Sequence, residues 1–150
     1  MGCYQEGILF MESIANLKAF RVADYMSRRL ITLSPSMSVN EAIRLLLEHS
    51  ISGAPVIEGE TLLGVFSESD CLKGAIQASY HETGIGSVSE FMTTEVQTID
   101  AGSSVLEAAD IFLRDRRRRL PVMENGQLVG QISRRDILRA MDDFARKHTL

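Results

Sequence analysis

Two segments place a hydroxyl and a carboxylate at one fixed spacing: Gly64-Val65-Phe66-Ser67-Glu68-Ser69-Asp70 and Gly130-Gln131-Ile132-Ser133-Arg134-Arg135-Asp136. In each, a serine stands at the end of an apolar, strand-like run, and an aspartate follows three residues later, in the first turn of an expected helix. A helix N-terminus offers unpaired N–H groups and positive potential, which suit a phosphate. An ionised aspartate there can accept two hydrogen bonds from vicinal hydroxyls such as those of a ribose. The same spacing also admits a structural role, in which Ser67 and Ser133 cap the helices and Asp70 and Asp136 complement their dipoles. A third feature is basic. The run Arg114-Asp115-Arg116-Arg117-Arg118-Arg119 precedes Leu120-Pro121, and Arg134 and Arg135 add charge inside the second segment. Arginine forks match phosphate oxygens in pairs, while the dipole of a helix C-terminus stabilises solvated cations by itself.

Other chemistries find no support. His49, His81 and His148 have no metal-ligand spacing with Cys3 or Cys71. There is no phosphate-binding G-x-x-x-x-G-K, no G-x-S-x-G and no G-x-G-x-x-G. The expectation is therefore no metal site, no catalytic residues and no catalytic cofactor. The two cysteines form no C-x-x-C pair, and the N-terminus lacks a basic segment followed by an apolar one; both point to a cytoplasmic protein. The chain has 150 residues, 45% hydrophobic and 24% charged, with a net charge of −4. Those proportions are globular rather than disordered. The acidic balance argues against a dedicated nucleic-acid binder. No apolar run approaches the roughly 20 residues a membrane helix needs.

The elements that must position these residues are written twice. An offset of 66 lays Val22–Ala75 over Val88–Met141 without a gap, with identities at Met26/Met92, Thr32/Thr98, Glu41/Glu107, Ala42/Ala108, Pro55/Pro121, Val56/Val122, Gly64/Gly130, Ser67/Ser133 and Asp70/Asp136. Each copy reads β-α-β-β-α. A short strand (Thr32-Leu33, Thr98-Ile99) leads to a helix capped by Ser38 or by Ser103-Ser104, with Glu41 or Glu107 in its first turn. Two strands follow, Ala54–Ile57 and Leu62–Ser67, then Leu120–Met123 and Leu128–Ser133. The second pair is joined through Asn125-Gly126, a strong hairpin signal. A closing helix starts near Ser69 or Arg134. One copy alone, at roughly 55 residues, buries too little apolar surface for comfortable stability. The two are expected to pack sheet to sheet as a pseudo-twofold α+β module. The predicted organisation is an N-terminal helical extension over 1–21, a first repeat over 22–77, a linker over 78–87, a second repeat over 88–146 and a tail over 147–150. The extension reads as an amphipathic helix across residues 4–20.

The gapless tandem, the two h-P-V strands (Ala54-Pro55-Val56 and Leu120-Pro121-Val122) and the two endings that follow the pattern G-h-x-S-x-x-D, with Gln131 in the apolar place of the second, resemble a pair of CBS domains, the Bateman module. The resemblance covers about residues 22–146. It implies two clefts that take an adenosine derivative such as AMP, ADP, ATP or S-adenosylmethionine. It implies further that each motif aspartate holds the ribose diol and that the neighbouring hydroxyl faces ribose or phosphate. Carried onto this chain, one cleft would combine Leu30, Ile31, Ile51, Ser52 and Gly53 with Ser133 and Asp136. The other would combine Val96, Gln97, Arg117, Arg118 and Arg119 with Ser67 and Asp70. The basic residues resemble the phosphate-binding pair of the AMP-activated kinase gamma subunit, with Arg134 as a further phosphate contact.

The implied function is a stand-alone regulatory module that binds adenine nucleotides and acts in trans on an unidentified protein partner. The rivals are an empty dimerisation module, an S-adenosylmethionine binder and a nucleic-acid binder. Leu72, Ile76, Ile137, Met141 and Phe144 exceed what an internal core should need. They are therefore expected to join two copies in a homodimer.

Overall fold

The computed structural model describes residues 17–81, 84 and 86–148. Its elements are α1 (Val22–Tyr25), α2 (Val39–Glu48), β1 (Gly53–Glu58), β2 (Thr61–Ser67), α3 (Glu68–His81), α4 (Val88–Phe91), β3 (Ile99–Asp100), α5 (Val105–Asp115), β4 (Arg119–Glu124), β5 (Gln127–Ser133) and α6 (Arg134–His148), after a 3-10 turn at Leu17–Ala19. The architecture is α+β with two repeats, as the duplicated pattern requires. The amphipathic helix expected over residues 4–20 is described only from Leu17, as that 3-10 turn; the remainder lies outside the described residues.

The chain forms two compact units, and they do not follow the repeat boundaries. The Asp70 unit holds Leu30–Gln97 and Gly126–Leu128; the Asp136 unit holds Thr98–Asn125, the segment from Val129 and the segment ending at Arg29. Each repeat therefore sends its leading helix into the unit built by the other. Val22 and Met26 are buried in the core of the Asp136 unit with Val105, Phe112, Leu120, Val122 and Ile132. Val88 is buried with Leu33, Val39, Leu46, Val56 and Phe66 in the core of the Asp70 unit.

Within the Asp70 unit, β1 and β2 pair antiparallel, with Gly53 opposite Ser67 and Pro55 opposite Val65. Leu33, expected in a strand, makes a single parallel bridge to Val56. Its N–H donates to the Pro55 carbonyl and its carbonyl accepts from Ile57 N–H. A parallel partner in this register calls on no N–H from residue 55, so the proline of the h-P-V strand removes no ladder bond. In the Asp136 unit the strand order is β3-β4-β5. There β3 is parallel to β4, Ile99 opposite Val122. The hairpin turns carry positive φ at Gly59 and at Asn125 and Gly126, the geometry an Asn-Gly turn is chosen for.

Helices α2 and α5 begin where the serines direct. Ser38 Oγ accepts from Glu41 N–H at 3.2 Å and Ser104 Oγ from Glu107 N–H at 3.1 Å. Both helices stop in a left-handed residue at equivalent positions, Ser50 and Arg116. Helix α3 continues through Ala78–His81, a stretch the sequence reading gave to the linker.

The closing helices correct the expected apolar surface. Ile137 and Phe144 are buried, and Met141 packs against the core of the Asp136 unit. Leu72 and Ile76 are exposed as expected, and Tyr80 and Leu138 join them. The cause is helical phase. Burial of Asp136 turns Ala140 and Phe144 inward with it, whereas the same face of α3 carries only Asp70 and Gly74 as buried residues.

The motif glycines are fixed by close approach. A Cβ on Gly130 would lie 2.5 Å from Met26 Sδ and 2.9 Å from the Ser27 carbonyl; one on Gly64 would lie 2.6 Å from the Thr93 carbonyl. Those carbonyls are held by the bridges Ser27–Gln131 and Val65–Thr93. Replacing Gly130 with alanine must therefore shift backbone. The expected cost is about 1–3 kcal/mol, seen by calorimetry as a Tm lowered by roughly 3–10 °C. An unchanged Tm would show that the bridge yields freely.

Candidate functional site

Each S-x-x-D motif sits at a strand-to-helix junction, β2 to α3 and β5 to α6. Hydrogen bonding there runs from serine to aspartate. Asp70 Oδ2 accepts from Ser67 N–H at 2.9 Å and from the Ser67 hydroxyl at 3.1 Å. Asp136 Oδ2 accepts from Ser133 N–H at 2.8 Å and from its hydroxyl at 3.0 Å. The Ser133 hydroxyl also accepts from Asp136 N–H at 3.4 Å, which makes the exchange reciprocal. In the second copy this is capping-box geometry with aspartate in the place of glutamate. In the first, the aspartate's half of that exchange is present, with Asp70 receiving the Ser67 N–H.

The carboxylates are more buried than a cap requires. Asp70 is 2% and Asp136 4% exposed. Each also meets a cation one helical turn on: Lys73 Nζ lies 3.8 Å from Asp70 Oδ1, and Arg139 Nη2 contacts Asp136 Oδ1 directly. Sequence reading did not single out Lys73 or Arg139. Their i,i+3 spacing from the aspartates was the available signal.

The junctions are also tied to the loops that lead into β1 and β4. Glu68 N–H donates to the Ser52 carbonyl at 3.0 Å. Arg134 N–H donates to the Arg118 carbonyl at 3.3 Å, and Arg134 Nε to the Arg117 carbonyl at 2.9 Å. The arginine run thus lies beside the start of α6, within the unit of Ser133 and Asp136. Arg116, Arg117 and Arg118 are exposed and Arg119 is half-buried. Leu30, Ile31, Ile51, Ser52, Gly53, Val96 and Gln97 belong to the unit of Ser67 and Asp70.

Cys71 adjoins this site and packs against the core of the Asp70 unit. Burial, and secondarily the charge of Asp70, push its thiol pKa up. It is protonated at neutral pH and unsuited to act as a nucleophile. Among the described residues no group of histidines, cysteines and carboxylates could hold a metal ion, and no helix is long and apolar enough to cross a membrane.

Comparison with known proteins agrees with the duplicated pattern. The family model of the CBS domain matches twice, over residues 22–76 and 88–143. The chain is 30% identical to CBS domain-containing protein YhcV of Bacillus subtilis over 117 residues, 77% of this chain and 81% of that protein. It is 35% identical to an inosine-5'-monophosphate dehydrogenase of Korarchaeum cryptofilum over 128 residues, which make up 84% of this chain and 25% of the dehydrogenase. The chain thus spans about a quarter of that enzyme's length. Among solved structures, the CBS-pair protein CBSX2 of Arabidopsis thaliana in complex with AMP superposes with a TM-score of 0.75 at 33% identity, covering 85% of this chain and 99% of that one.

Proposed function

As the chain belongs to the CBS-domain family and carries a tandem pair of these domains, we propose that it is a regulatory module that binds an adenine nucleotide (AMP, ADP or ATP) and reports the binding to a protein partner in trans. We assign it no catalytic residues. The observation that carries the reading is the doubled motif, complete in both copies with its glycine, its serine and a buried aspartate. The AMP complex of a related CBS-pair protein supports the ligand class. In this reading Asp70 and Asp136 receive ribose hydroxyls, with Ser67 and Ser133 beside them. Leu30, Ile31, Ile51, Ser52, Gly53, Val96 and Gln97 contribute to base pockets, and Arg117, Arg118, Arg119 and Arg134 serve phosphate. A phosphate-bearing ligand is favoured over S-adenosylmethionine because a basic cluster attracts phosphate and repels a sulfonium.

The test is a thermal-shift comparison of AMP, ADP, ATP, adenosine and S-adenosylmethionine. A nucleotide at about a hundred times its Kd stabilises the folded state by about 2.7 kcal/mol, a Tm rise of roughly 5–10 °C. A larger rise with S-adenosylmethionine than with any nucleotide would overturn the ligand class. No rise with any of them would leave the module a structural one.

The proposal extends to self-association. Leu72, Ile76 and Tyr80 recur every four residues along α3 and are 65%, 58% and 82% exposed. Leu47 and Leu113 occupy equivalent places in the two repeats and are 74% and 82% exposed. Apolar side chains so arranged favour association. Light scattering is expected to give twice the chain mass of 16.6 kDa. The double change of Leu72 and Ile76 to glutamate is expected to return the monomer. A wild-type monomer at tens of micromolar would contradict this.

A further inference from the structure

Resting on the nucleotide reading above, we infer that Arg139 and, more loosely, Lys73 are specificity-setting residues: each occupies the acceptor edge of its motif aspartate and must be displaced when a ribose diol binds. A carboxylate oxygen accepts about two hydrogen bonds. Oδ2 of each aspartate already receives two, from the serine N–H and hydroxyl at 2.8–3.1 Å. Only Oδ1 retains capacity for the hydroxyls of a ribose, and in both copies Oδ1 faces the cation three residues on.

Burial identifies the movable partner. The aspartate side chains are 3% and 6% exposed, whereas those of Lys73 and Arg139 are 67% and 63% exposed. The serine donors belong to the strand-to-helix junction and are fixed by the backbone. The cations stand in solvent on long, flexible stems. A ligand that reaches Oδ1 therefore displaces the cation and leaves the serine in place. A pair whose cation stands in solvent is weakly held, so displacement lowers affinity only up to about fivefold. The two copies differ in how firmly the edge is held. Arg139 makes a direct guanidinium contact with Asp136, while the Lys73 ammonium is 3.8 Å from Asp70. A planar guanidinium holds a carboxylate more specifically than an ammonium does. The Asp70 motif is thus the readier of the two to accept a diol.

The test uses the intact chain, with adenosine and AMP as probes in isothermal titration. Arg139→Gln is expected to tighten adenosine binding by about three- to fivefold. Lys73→Gln should change it by less than about twofold, and Arg139→Lys should fall between wild type and Arg139→Gln. AMP is expected to gain less than adenosine from Arg139→Gln, because the variant also removes a positive charge near an anionic ligand. A residue that merely supports the helix would lower Tm without tightening any ligand. Unchanged or weaker adenosine binding by Arg139→Gln, in a protein whose wild type binds AMP, overturns this inference alone. Failure of wild type and all variants to bind either probe overturns the nucleotide reading, and this inference with it.

Discussion

Asp136→Ala and Asp70→Ala are each expected to weaken AMP binding by roughly ten- to a hundredfold at the site that aspartate serves, the equivalent of about 1.5–3 kcal/mol for a charge-assisted hydrogen bond. The variants also lose a capping interaction, because each aspartate accepts both the N–H and the hydroxyl of its serine. That loss costs about 0.5–2 kcal/mol of stability, so binding must be measured well below the lowered Tm. Asp136→Asn separates the two effects. An asparagine keeps an acceptor oxygen for Ser133 and gives up the charge. It is expected to retain most of the stability while losing most of the affinity. Wild-type affinity in both alanine variants, with Tm lowered, would mean that the motif is a capping box and nothing more.

The second large effect concerns phosphate. Changing Arg118 and Arg119 together to alanine is expected to reduce AMP affinity by about 2 kcal/mol or more, roughly thirtyfold, if each donates to a phosphate oxygen. Adenosine binding should hardly change, since it carries no phosphate. Wild-type AMP affinity should also fall as salt is added, because exposed charges are screened within about 10 Å at 0.1 M. Equal losses for adenosine and AMP in titration calorimetry would show that the arginines shape the loop that leads into β4 and do not bind phosphate.

The sequence makes much of this legible because duplication checks each local signal against its copy. Ser38 and Ser104 cap as expected, the Asn125-Gly126 turn has the positive φ its composition demands, and both motifs fall where strand passes to helix. Other features needed three-dimensional packing. A repeat in sequence marks a duplicated segment, but it does not say which core a four-residue helix joins. Val22 and Val88 both settle among the residues of the other copy. On the closing helices the expected surplus of apolar surface holds for Leu72 and Ile76 and fails for Ile137, Met141 and Phe144, because the inward placement of Asp70 and Asp136 sets the phase of each helix. Once an aspartate is placed inward, Ala140 and Phe144 follow on the 3.6-residue period, and Leu72 and Ile76 turn outward. The glycines give no sequence sign of the carbonyls that crowd them. The i,i+3 spacing of Lys73 and Arg139 from the aspartates is legible as a candidate pairing, but the burial of the carboxylate in each pair is not.

Adenine-nucleotide binding through the two S-x-x-D motifs can be followed by amide-resolved nuclear magnetic resonance of the isotopically labelled chain titrated with AMP. Saturable shifts are expected, centred on the amides of Ser67, Asp70, Ser133 and Asp136, with further shifts at Arg117–Arg119 that are absent when adenosine replaces AMP. An unperturbed spectrum, or saturable shifts confined to residues away from both motifs, would contradict it.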